Sequence, residues 1–588
     1  DNGGSSATNA SFTLTTGVDT FTGRSGDDSF DATTEASLND YDVIDGGAGV
    51  DTLTLQVAAG DTGTTLIPQL SGIEVIQATN SATADSGNDE GEILTIATAG
   101  LTGITAVANI AGGGEADGVT FNDLASPTNV TIKSGVGTTT VNHNATAFAG
   151  ANDAITVTVS GTSSTTVAIT DDSLSTATVL EEVTVNSISV ANTLADLQLS
   201  SVNVPSLKIT GSTSLTITAA LDSSVTSIDA SGMPTGGFTL SAAPEAAAVT
   251  VVGSGAADTI AALGAGNHNL SMGGGNDTVD FEATWTAKDT LDGGAGTDTI
   301  SVLGSVNNSG LNATIFDNLT NVEVLDAEAA NDNAVISLDS NTPFTTIDLD
   351  DANSQELNLN DGYTQATTVS IDADQGDTIN NNANVDLTLN AYSGAVQANL
   401  NLTGSTGKND VINLTLITND LTSTFDTGND VFETININPF TAGADFELVT
   451  GAYALGATGG DLTINAAGLD AASVLTITGT SSATPMNITT GIGGDIILLG
   501  TKADTVNSGA GNDSITTLGG VNTVNAGDGV DTVVMGNAID IIDAGAGNDI
   551  ITSANRLANT DVVDGGAGTD TLTHSTTIDN PSVMGGVS

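Results

Sequence analysis

The sequence has no cysteine, which excludes a disulfide framework and any zinc site held by thiolates. Basic residues are almost as scarce: Lys and Arg together number 7 against 71 Asp and Glu, a formal net charge of -64. A phosphate backbone needs a basic footprint, so nucleic acid is excluded as a partner, and anionic lipid surfaces are disfavoured for the same reason. Aromatic residues make up only 3%, too few for a large ring-lined pocket. Proline occurs 9 times, so turns fall to Gly, Asn and Asp. No run of 18 or more apolar residues is present, so no membrane-spanning helix is predicted. The sequence opens at Asp1 without Met or a charged-then-apolar leader, and a processed chain or fragment is expected.

What remains is 588 residues with 39% hydrophobic content, enough for a core, and 70 glycines. Thr or Ser alternates with Val, Ile or Leu, as in Leu215-Thr-Ile-Thr218 and Leu475-Thr-Ile-Thr-Gly479. Period-two alternation broken by Gly, Asn and Asp predicts short strands and turns, and no helical period competes with it. So strong an acid excess repels itself unless cations neutralise it.

Internal repeats organise the chain. From Ala503 onward, marks recur every nine residues at Asp504, Asp513, Asn522, Asp531, Asp540 and Asp549; a gap of twelve leads to Asp561, and nine more to Asp570. Well-formed units are Ser508-Gly-Ala-Gly-Asn-Asp-Ser-Ile-Thr516, Ala526-Gly-Asp-Gly-Val-Asp-Thr-Val-Val534 and Gly565-Gly-Ala-Gly-Thr-Asp-Thr-Leu-Thr573. A second block runs from Asp258 through His268 and Asp277 to Asp289 and Asp298, and a first carries Asp19, Asp28, Asp42 and Asp51. All three close on one phrase, typified by Asp289-Thr-Leu-Asp-Gly-Gly-Ala-Gly-Thr-Asp298. Leu70-Ser-Gly-Ile-Glu-Val-Ile76 and Leu319-Thr-Asn-Val-Glu-Val-Leu325 follow the first two blocks at similar distances, which predicts a duplicated unit of about 250 residues. Five segments result: blocks at 1–56, 251–305 and 491–588, with β-rich stretches at 57–250 and 306–490 between them.

The nonapeptide Gly-Gly-x-Gly-x-Asp-x-U-x, with U apolar, has a chemistry. Its first six residues form a turn and its last three a short strand. Glycines tolerate positive φ and close backbone approach, so carbonyl oxygens crowd one side and Asp adds a carboxylate. Hard oxygens in flexible geometry suit Ca²⁺ better than Mg²⁺. The inward U residues are Val506, Ile515, Val524, Val533, Ile542, Ile551, Val563 and Leu572. One turn of nine cannot bury itself, so two nonapeptides are expected per coil, with calcium between same-side turns eighteen residues apart. Candidate ligands are Asp28, Asp45, Gly47, Gly49 and Asp51 in the first block, and Asp258, Gly275, Asp277, Asp292, Gly294, Gly296 and Asp298 in the second. The third supplies Asp504, Gly509, Gly511, Asp513, Asn522, Gly527, Gly529, Asp531, Asp540, Gly545, Gly547, Asp549, Asp564, Gly566, Gly568 and Asp570. Asn522 lacks a charge, so a weaker site is expected there, and His268 at an Asp position puts another site in question.

Catalytic motifs find little support. His143, His268 and His574 are scattered, with no His-Glu-x-x-His, and no Gly-x-Ser-x-Gly elbow occurs. Trp285 lies in the excursion between Asp277 and Asp289 and is expected to pack a loop. Arg24 and Lys502 replace turn glycines and are expected to be solvated; Glu74 and Glu323 fit a ligand or a strand-edge hydrogen-bond role.

The nonapeptides resemble those of the RTX (repeat-in-toxin) family, and over the rest of the chain the Thr/Ala/Val-rich strands, the Gly-Ile-Glu-Val-Ile phrase and Thr403-Gly-Ser-Thr-Gly-Lys-Asn-Asp-Val-Ile-Asn-Leu-Thr415 resemble RTX surface-layer proteins such as that of Caulobacter. The resemblance implies calcium-filled parallel β-rolls exported by type I secretion, a lattice of identical subunits outside the cell, and a terminal region gripping surface polysaccharide. The closing stretch Asn580-Pro-Ser-Val-Met-Gly-Gly-Val-Ser588 does not look like a secretion signal. The expected fold is all-β: calcium-binding parallel β-roll or β-helix solenoid segments joined by β-rich solenoid or sandwich-like segments. The expected protein is a secreted, cell-surface structural one rather than an enzyme. An adhesin or biofilm matrix protein is the alternative, and an RTX-tailed hydrolase a third.

Overall fold

The computed structural model describes residues 8–34, 37–57, 65–66, 68–80, 93–97, 103–110, 118–133, 136–172, 179–199, 201–242, 244, 248–261, 263–281, 284–304, 313–329, 334–349, 355–360, 363, 365, 367–372, 378–381, 387–392, 398–403, 411–416, 421–425, 433–439, 446–450, 460–480, 482, 484–553, 557 and 560–574. Residues 404–410 and 580–588, singled out above, lie outside the described residues. Strands fill the structure; among the described residues the one helical element is a short 3₁₀ turn at Ala313–Phe316. Two compact units divide the chain, Asp1–Ile300 with Asn318–Val322, and Ser301–Asp317 with Glu323–Ser588.

Each unit is a parallel β-solenoid. In the first, Ser11–Thr13, Ser29–Ala32 and Thr52–Val57 begin a sheet that continues, one strand per coil, to Leu319–Thr320. A second sheet runs from Ile93–Ala97 and Gly118–Leu124 through Val136–His143 to Thr278–Asp280. The second unit repeats the plan, with one sheet from Ala334–Leu338 to Thr571–His574 and another from Val324–Ala329 to Val562–Asp564. The stretches between nonapeptide blocks are therefore solenoid as well; the sandwich-like option is not taken.

Alternation explains why these residues stack. In Ala154–Ser160 the inward Ile155, Val157 and Val159 are buried while the Thr and Ser between them face out. Each inward residue sits on its counterpart one coil away: Val130 on Val157, Val157 on Val185, Val185 on Ile209. Those coils take 27, 28 and 24 residues, by difference of the paired numbers. In the third block the coil shortens to 18, with Val506 on Val524 and Val524 on Ile542, and likewise Ile515 on Val533 and Val533 on Ile551. Two nonapeptides do make one coil. Val563 and Leu572 are only half-buried, because no described coil covers the last one. Trp285 is buried against Phe281, ring centroids 4.6 Å apart, as a loop-packing residue.

Truncating an inward residue should leave a cavity that neighbouring coils cannot fill. Ile209→Ala is expected to destabilise the first unit by about 2–5 kcal/mol, read by urea unfolding. Lys208→Ala, on the outer face of the same strand, should stay within about 0.5 kcal/mol of wild type.

Candidate metal sites

The turns are built on backbone that only glycine fills easily. In Ala526-Gly-Asp-Gly-Val-Asp531, Gly527 and Gly529 have φ of +100° and +152°. A Cβ on Gly529 would overlap the Gly511 carbonyl oxygen of the preceding coil, and one on Gly527 the Gly509 carbonyl oxygen. The same positive φ occurs at Gly47, Gly49, Gly275, Gly294, Gly296, Gly509, Gly511, Gly545, Gly566 and Gly568; Gly547 alone among the predicted glycines departs from it. The turns pair with one another as well: Asp528 N–H donates to Gly509 O at 3.0 Å and Ala546 N–H to Gly527 O at 2.7 Å.

The aspartates that close these turns form columns. Oδ1 of each accepts the backbone N–H of its counterpart one coil earlier: Asp495 N–H to Asp513 at 2.8 Å, Asp513 to Asp531 at 2.8 Å, Asp531 to Asp549 at 2.9 Å and Asp549 to Asp570 at 3.0 Å. Asp258, Asp277 and Asp298 repeat the ladder at 2.7 and 2.8 Å. Asp28 donates to Asp51 at 2.7 Å, and Asp51 to Glu74 Oε2 at 2.8 Å. Glu74 thus continues an aspartate column. An opposing ladder runs one residue earlier, where Val530 N–H donates back to Asn512 Oδ1 at 2.8 Å and Thr569 N–H to Asn548 Oδ1 at 2.9 Å.

The ladder uses one oxygen of each carboxylate. The other, Oδ2, is buried without a hydrogen-bond partner in Asp51, Asp277, Asp495, Asp504, Asp513, Asp531, Asp549 and Asp570. A buried, partnerless carboxylate oxygen costs free energy unless something positive meets it. Burial pushes Asp504, Asp513 and Asp531 up to about 6 and Asp277 up to about 7, backbone N–H bonds oppose the shift, and for Asp277, Asp513 and Asp531 neighbouring carboxylates in the column add to it. Asp51, Asp495 and Asp549 shift the same way, with burial the leading cause. Among the described residues no three His, Cys, Asp or Glu side chains cluster. This donor set is one carboxylate per turn beside glycine carbonyls, an all-oxygen environment that fits Ca²⁺. When bound, the ion supplies the positive charge that the columns lack.

Several predicted residues lie elsewhere. Asp45 and Asp292 are half-buried at strand ends and Asp564 is exposed, outside the columns; Asp292 Oδ1 accepts from Asn321 at 2.8 Å and Asp564 Oδ1 from Gly566 N–H at 3.0 Å. Asp28 is saturated by the N–H groups of Ala10 and Arg24, and Asp258 by Phe238 and Ser254. Arg24 and Lys502 are exposed. Asp495 was not among the predicted ligands, although it lies nine residues before Asp504 and follows Gly491-Ile-Gly-Gly494. The spacing alone could have found it.

A family model described as the RTX calcium-binding nonapeptide repeat (4 copies) matches residues 38–55, 287–302, 489–524, 498–533, 525–555 and 558–573. These are RTX nonapeptide repeats. No curated protein matches the chain. The RTX matches fall in the three blocks where the aspartate columns stand, and they support a calcium-binding repeat protein.

Two outcomes are expected of the RTX turns. Gly529→Ala puts a Cβ into the preceding coil at positive φ and should destabilise the fold in saturating calcium by more than the roughly 1–2 kcal/mol of left-handed strain alone, seen as a lower melting temperature. Asp277, Asp513 and Asp531 titrate above the ordinary 3.8, so folding favours their protonated form. Metal-free protein should be most stable below about pH 4 and lose stability as pH rises from there through about 6 to 7, the range between the ordinary 3.8 and the raised values. Protons compete with the ion, so the stabilisation that calcium adds should grow over the same interval. Melting curves in EGTA and in calcium across pH check both.

Proposed function

We propose that this protein is a structural component of an extracellular surface layer, folding and self-assembling with calcium. The observation that carries the reading is the charge of -64 with 7 basic residues, borne by solenoids whose turns hold buried carboxylate oxygens without partners. Within a subunit, calcium neutralises the columns and makes coil stacking favourable. Between subunits, the same ion bridges acidic faces that would otherwise repel one another. Apolar side chains on the outer faces favour contact once that repulsion is removed. Ile541 and Val562 are neighbours in register and 43% and 54% exposed. Other copies of this chain are the proposed partner, and surface polysaccharide the proposed anchor. The protein is proposed to act without catalysis.

Electron microscopy of purified protein tests this. Sheets or filaments that form with calcium and dissolve in EGTA are the expected outcome. Monodisperse rods at saturating calcium would refute self-assembly and favour a stiff adhesin spacer.

A further inference from the structure

Within each block, successive turns alternate between two edges of the coil, and the edges differ. On one stand the glycine turns closed by aspartates such as Asp51, Asp277 and Asp531, with a buried partnerless oxygen each; only Asp28 and Asp258, which head this edge in the first two blocks, are saturated. On the other, carboxylates at the equivalent position have both oxygens occupied. Asp42 accepts the N–H groups of Asp19 at 2.9 Å and Asn39 at 2.8 Å. Asp289 accepts His268 N–H at 2.7 Å on Oδ1, and Thr286 N–H and Oγ1–H at 2.8 and 2.9 Å on Oδ2. Asp540 takes Asn522 Nδ2–H at 2.9 Å and Thr517 Oγ1–H at 3.1 Å.

Two residues show how the substitution works. His268 is 2% exposed. Its Nδ1 accepts Val249 N–H at 3.3 Å, the task that Oδ1 performs elsewhere, while Nε2 lies 2.8 Å from the Gly264 carbonyl oxygen and so carries the proton. Asn522 accepts Asp504 N–H at 3.0 Å. Its Nδ2 faces Asp540 Oδ1, Gly519 O at 3.2 Å and Gly520 O at 3.4 Å. A carboxylate and two turn carbonyls are the oxygens that Ca²⁺ would gather. Here an amide N–H₂ reaches them instead.

We infer that calcium loading is one-sided: it fills the glycine edge of each block, while on the opposite edge the protein's own N–H and O–H groups, those of His268 and Asn522 foremost, stand in for the cation. Asp504, which keeps a partnerless oxygen, falls with the loaded turns although it heads the opposite edge. The long excursions that end at Asp42, Asp289 and Asp561 all interrupt the donor-closed edge. A turn that needs no ion tolerates the insertion.

The inference rests on the calcium reading of the repeats, and native mass spectrometry of the full chain at saturating calcium separates the two. Asp277→Asn should lose at least one ion. Asp289→Asn should bind the same number as wild type. His268→Asp, which exchanges the donor for a carboxylate, should gain one. Loss of calcium from Asp289→Asn equal to that from Asp277→Asn, or no gain in His268→Asp, would overturn one-sided loading. Wild-type protein that binds no calcium at all would overturn the calcium reading itself. Should Asp289→Asn not fold, the His268→Asp count decides.

Discussion

A column of buried carboxylates has no stable arrangement by itself. Each aspartate at a turn is fixed by one hydrogen bond to the coil before it, and stacking brings the next aspartate into the same column. The geometry that closes the solenoid thus concentrates negative charge where water cannot screen it. The raised pKa values of Asp277, Asp513 and Asp531 express that conflict. Protons relieve it at low pH, and calcium, which the free oxygens and the crowded turn carbonyls would hold, would relieve it at neutral pH.

Coil length follows the same constraint. Where turns are glycine-rich and closed by aspartate, a coil needs only 18 residues, as between Val506 and Val524. From Val130 through Val157 and Val185 to Ile209, longer connections raise it to 24–28. The inward Val, Ile and Leu ladder is common to both, and gives thin solenoids a core without aromatic bulk. Calcium-dependent and calcium-independent coils can then share one sheet, because the strand ladder does not depend on how the turn is neutralised.

The difference between the edges gives the metal-binding blocks a direction. Donor-closed turns such as those ending at Asp42, Asp289 and Asp540 hold their shape through side chains and backbone N–H groups. They can carry long excursions. The glycine turns opposite them present carbonyls and unpaired carboxylate oxygens, which makes one side of each block the responsive one. Folding would then be switched by ion supply through the turns of that side.

Nine-residue spacing, the glycines and the apolar U positions were enough to predict stacked coils of two nonapeptides and most aspartates of the columns, because short-range periodicity dictates which residues must face inward. Asp495 was equally within reach of the spacing. The solenoid character of the long Thr/Val-rich stretches was not, since alternation specifies a strand but not which strand it pairs with. Nor did the pattern distinguish Asp45, Asp292 and Asp564, at outward strand ends, from the column aspartates a few residues away. The roles of His268 and Asn522 also came from the fold alone. Whether a side chain leaves a site weak or replaces the ion depends on which carbonyls lie within hydrogen-bond reach, and stacking successive coils is what brings those atoms together.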